Sequence, residues 1–118
     1  MSINDNTPVL VGCGQVTQKV SDPREAKNPI ELMKEASLCA FEDTTIDHLE
    51  DKIDTVTTVR FIFDSGGGKR PPFSIYSNPP QSLANSLGIT DAKTYNGPTG
   101  GNTPQYFCLL YTSPSPRD

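Results

Sequence analysis

The chain has 118 residues, of which 20% are charged and 34% hydrophobic, with nine Gly and eleven Pro. That suits one domain or a piece of one and lies below the Gly and Pro content of low-complexity chains. Ten Lys and Arg against fourteen Asp and Glu give a net charge of −4, which argues against non-specific nucleic-acid binding.

In chain order, PVLVGC at 8–13 is an apolar run ended by Gly14, and it predicts a buried strand. Residues 17–27 are polar and contain Pro23, so a loop follows. Asn28 then offers a helix cap, Pro29 suits the first helical position, and Glu31 completes a capping box. Ile30, Met33, Ala36, Leu38 and Ala40 recur near helical spacing, so the helix is expected over about 29–43.

DTVTTVRFIF at 54–63 is dense in β-branched and aromatic residues and predicts a strand. GGGKRPP makes residues 64–78 a loop. Asn78, Pro79 and Pro80 then open a second helix, which Gly88 stops. AKTYN at 92–96 predicts a short strand, and GPTGGNTPQ a turn into a third helix with Pro104 in its first turn. Strands alternating with helices define an α/β fold with a parallel sheet. The order β-α-β-α-β-helix start is expected to be the first part of a larger domain.

The last segment departs from this pattern. Ser and Pro alternate after Phe107, and Pro114 and Pro116 forbid a helix there. The string CLLYTSPSPRD also resembles translated adapter sequence. Residues 1–107 are therefore read as the domain and 108–118 as a non-native tail, set aside from fold reasoning.

Several motifs fall short of the chemistry they suggest. VGCGQVT at 11–17 has Thr17 where a dinucleotide-binding turn needs Gly. GGGKR at 66–70 lacks the P-loop pattern, because Phe63 and Arg70 occupy its first and last key positions. His48 is the single histidine, sits among acids, and is read as a surface residue with no metal site. Cys13 and Cys39 are placed on the apolar faces of the first strand and helix as small hydrophobes. From Glu31 to Asp54 there are eight acids and two lysines, read as a solvated face. Three widely spaced cysteines, no basic leader and no run of about 18 apolar residues point to the cytoplasm, without a membrane span.

YNGPTGGNTPQ at 95–105 is the stretch most suggestive of a site. A strand ends, glycines allow close backbone approach, and a helix begins. Free N–H groups and the helix dipole favour negative charge there. Gly100, Gly101 and Asn102 are the candidate oxyanion-type turn.

With this stretch in place the chain resembles the thiolase superfamily, in its acetyl-CoA acetyltransferase and thiolase-like branch. The resemblance spans residues 8–107. It rests on TPVLVGCGQVTQ, NPIELMKEASLCAFED, HLEDKIDTVTTV and YSNPPQSLANSLGI in that order, followed by YNGPTGGNTPQ. It implies the N-terminal part of a five-layered αβαβα fold. It also implies a Cys nucleophile at the N-terminus of a buried helix, which takes an acyl group from a coenzyme A thioester. Aligning Tyr95 and Asn96 with the family's strand end puts Thr99 at the nucleophile's place, or Gly100 if the register slips by one. Neither restores a thiol, and Thr is a poor nucleophile without an activating base. The resemblance thus implies either a fragment of an acyl-CoA acyltransferase, inactive by itself, or a non-catalytic thiolase-like protein that binds coenzyme A or acyl ligands. It further implies acyl-CoA as the small-molecule partner, no tightly bound cofactor, and a parent that is a homodimer or tetramer.

Overall fold

The computed structural model describes residues 2–62 and 75–112. The GGGKR motif, the end of the predicted second strand and Pro114 and Pro116 lie outside the described residues. Five regular elements follow one another: α1 (Pro29–Asp43), β1 (Thr55–Val59), α2 (Pro79–Ser86), β2 (Lys93–Gly97) and α3 (Thr103–Thr112). Short 3-10 turns at Pro23–Glu25 and Leu49–Lys52 flank α1. The chain is a small mixed α/β unit. No helix among the described residues is long and apolar enough to cross a membrane.

Helix α1 starts where its capping signature places it. The Glu31 amide donates to Asn28 Oδ1 at 3.0 Å, and the Asn28 amide donates to Glu31 Oε2 at 2.8 Å. Each side chain thus satisfies a backbone donor that the first helical turn leaves unpaired. Replacing Asn28 by Ala is expected to lower stability by about 1 kcal/mol, read as a lower melting temperature. An unchanged melting temperature would show that α1 is held by packing alone.

Helix α2 is capped differently from expectation. Asn78 occupies the N-cap position, but its side chain makes no capping bond. Pro79 and Pro80 have no N–H, so the Gln81 amide is the first that the Asn78 side chain could accept from. At the other end Gly88 adopts φ 75°, the Ile89 amide donates to the Ala84 carbonyl at 2.9 Å, and the Gly88 amide donates to Asn85 at 3.2 Å. This is a Schellman ending, and it turns Ile89 back to a position only 2% exposed. A Cβ at Gly88 meets nothing within 4 Å, so the obstacle to substitution is backbone conformation alone. Gly88→Ala is expected to cost about 1–2 kcal/mol, measured by urea denaturation, and a neutral result would mean that this ending relaxes freely.

The two strands pair in parallel, with Thr55 opposite Lys93 and Val59 opposite Gly97. Val56 and Thr58 of β1, with Thr94 and Asn96 of β2, form the more buried face, and α2 packs on both strands and on α1. Thr58 is 4% exposed, and its hydroxyl donates to Asn96 Oδ1 across the ladder at 3.3 Å. Among the described residues the buried hydrophobic core is Ile30, Leu83, Ala84 and Ile89, with Pro79 and Pro80 also buried.

The expected first strand does not form. Residues 8–13 belong to no sheet, and Val9 and Leu10 are 73% and 86% exposed. The segment lies against α1 instead. A Cβ on Gly14 would come within 2.1 Å of the Ala36 carbonyl oxygen, and one on Gly12 within 2.5 Å of the Ala40 oxygen. The Cys13 amide donates to the Asp43 carboxylate at 2.9 Å rather than to a strand. An extended apolar run becomes a strand only when a neighbouring strand supplies its backbone partners.

This arrangement also corrects the placement of the cysteines. Cys13 and Cys39 are both exposed, and the buried hydrophobic role expected for them does not hold. Side chains alternate along an extended segment, so glycines that face α1 on either side of Cys13 leave its thiol facing away.

Candidate functional site

The junction from β2 into α3 contains every site residue expected from the sequence. Strand β2 ends at the buried Gly97, whose carbonyl accepts from the Arg60 amide at 3.0 Å just beyond β1. Pro98 follows, and its carbonyl accepts from the Thr103 hydroxyl at 2.7 Å. The Thr103 amide donates to the Gly100 carbonyl at 3.2 Å, and the Tyr106 amide donates to the Asn102 carbonyl at 3.1 Å. Thr103 is 1% exposed. It is the pivot of the turn, holding the strand end to the first turn of the helix.

Thr99 stands exposed on this turn, ahead of the first residue of α3. Its hydroxyl donates to the Arg60 carbonyl at 3.3 Å, which ties the turn to the end of β1. A backbone carbonyl orients that proton and does not remove it, so this contact leaves the oxygen a weak nucleophile. Gly100 is half-buried, whereas Gly101 and Asn102 are exposed. The Thr103 amide is already engaged and Pro104 has no N–H. Two donors of the first helical turn are therefore withdrawn from any oxyanion.

Helix α3 buries Thr103 and half-buries Phe107, while its later residues, including Leu109, Leu110 and Tyr111, are exposed. It continues through 108–112, residues set aside with the tail on sequence grounds. Its described part runs to Thr112. The Tyr111 hydroxyl donates to Cys108 Sγ at 3.1 Å, and this bond holds the phenol above its ordinary pKa.

His48 is a surface residue, with its side chain 78% exposed and Nδ1 3.7 Å from Glu50 Oε1. The backbone brings His48, Glu50 and Asp51 together, each offering a ligand atom within 4.8 Å of the others. The sequence hid this grouping, because it depends on the left-handed φ of 52° at His48 that starts the 3-10 turn. All three side chains remain in contact with water, which competes with any cation there.

Comparison with protein-family models, with curated proteins and with solved structures finds no match to this chain. The class the fold defines is therefore a small α/β unit with a strand–turn–helix junction.

Proposed function

We propose that the chain is part of a thiolase-family acyltransferase that acts on coenzyme A thioesters, with Thr99 at the position of the nucleophile. The observation that supports this reading is the β2–α3 junction. A parallel strand runs into a glycine-containing turn that exposes one hydroxyl beside a helix start. In such a junction the reacting side chain sits near the positive end of the helix dipole, where developing negative charge is stabilised.

A second reading has its own support. The Thr99 hydroxyl is held by a backbone carbonyl, and hydroxyls at neutral pH need a base to attack a thioester. On that reading the protein binds coenzyme A or an acyl ligand and transfers nothing. In both readings the 118-residue chain alone is inactive.

Thr99→Cys tests the site directly. A thiol near a helix N-terminus has a lowered pKa and a larger thiolate fraction. A one-unit fall gives about tenfold more thiolate near pH 7, and the accompanying loss of nucleophilicity leaves about a threefold gain in rate. Iodoacetamide should therefore alkylate the new thiol about three times faster than Cys13 or Cys39, followed by peptide mass spectrometry. Equal or slower alkylation rejects the placement of Thr99 at a nucleophile position. Thiolysis of an acyl-CoA by a full-length parent protein would reject the binding-only reading.

A further inference from the structure

A cavity of about 360 Å³ opens between the C-terminal half of α1 and the turn that follows it. Its apolar wall is made by Leu38, Phe41, Ile46 and Leu49. Glu42, Asp47, His48 and Glu50 line it as well. The volume falls within the range of small-molecule sites, which pair an apolar lining with a few placed polar groups. The charge is one-sided. Glu42 and Asp47 make no ion pair among the described residues, and the one ion-pair partner of Glu50 among them is His48 at 3.7 Å. Lys52 reaches this turn but donates its ammonium to the Asp47 backbone carbonyl at 2.7 Å.

We infer that this cavity binds a small organic ammonium with an aromatic or aliphatic body. The hydrocarbon part is covered by Leu38, Phe41, Ile46 and Leu49, and the ammonium lies beside Glu42, Asp47 and Glu50. A carboxylate-bearing ligand of the same shape is excluded by the three acids, and a neutral one gains only the apolar contact. This site lies on α1 and its following turn, away from the β2–α3 junction, and does not depend on the acyltransferase reading.

The test is a titration of the full chain, followed by amide NMR, with 2-phenylethylammonium and separately with its neutral isostere 2-phenylethanol. Amide shifts should be confined to residues 38–50, and the ammonium should bind about five-fold more tightly than the alcohol. Raising salt from about 20 mM to about 500 mM should weaken the ammonium and leave the alcohol unchanged. In a protein carrying Glu42→Gln and Glu50→Gln the preference should fall to about two-fold or less. Equal affinity for the two probes, or shifts spread over the other acidic residues, overturns the inference. The comparison of probes and of salt uses the unaltered chain, so it decides the matter even where the double variant fails to fold.

Discussion

Replacing Leu83 by Ala lowers the unfolding free energy by about 3 kcal/mol, within the range for truncating a buried Leu. Leu83 is 6% exposed in α2, the helix that touches both strands and α1. Few other side chains share its load, since Ile30, Ala84 and Ile89 are the remaining buried hydrophobics among the described residues. Little neighbouring mass is therefore available to close the gap. A chain of this length has roughly 6–15 kcal/mol in total, so one substitution removes a large fraction. Urea denaturation followed by circular dichroism should show a midpoint lower by about 1–2 M. A midpoint within about 0.3 M of the unaltered protein would mean that α2 does not carry the core.

Gly97→Ala should cost about 2 kcal/mol and act locally. A Cβ there would stand 2.5 Å from Phe107 Cζ and 2.7 Å from Thr103 Cγ2. Phe107 can swing outward, but Thr103 is pinned by its bond to the Pro98 carbonyl. The strain therefore falls on the first turn of α3. Hydrogen exchange should show faster exchange of α3 amides while α1 amides keep their protection. Retained protection in α3 would show that the junction is loose enough to absorb a methyl group.

What the sequence reveals divides along the line between local and distant causes. The start of α1 is legible because Asn28, Pro29 and Glu31 act within one turn. The end of α2 is legible because Gly88 takes the left-handed backbone without the penalty that a Cβ brings. The strands at 55–59 and 93–97 announce themselves through β-branched and aromatic residues. Residues 8–13 carry an equally good strand pattern and make no strand, because pairing is a property of two segments. The exposure of Cys13 follows from the same cause. Helix α3 continues through 108–112, where apolar residues follow Phe107, and the alternating Ser and Pro further on hide that continuation in the sequence. At the junction the residue types of the turn were legible, but the Thr99–Arg60 contact was not, since it joins two strand ends far apart in the chain.

The parallel pairing of β1 with β2 has a consequence for how the protein is born. Thr58 and Asn96 face one another across 38 positions of sequence. At a synthesis rate of about 5–20 residues per second, β1 waits roughly two to eight seconds before its partner has been made. Through that interval Val56 and Val59 have no ladder, whereas the capping box of α1 joins residues that have already been made. The nascent chain thus holds every residue of α1 but only one strand of the sheet. The window for mispairing is set by the ribosome's pace rather than by the chain's own folding rate.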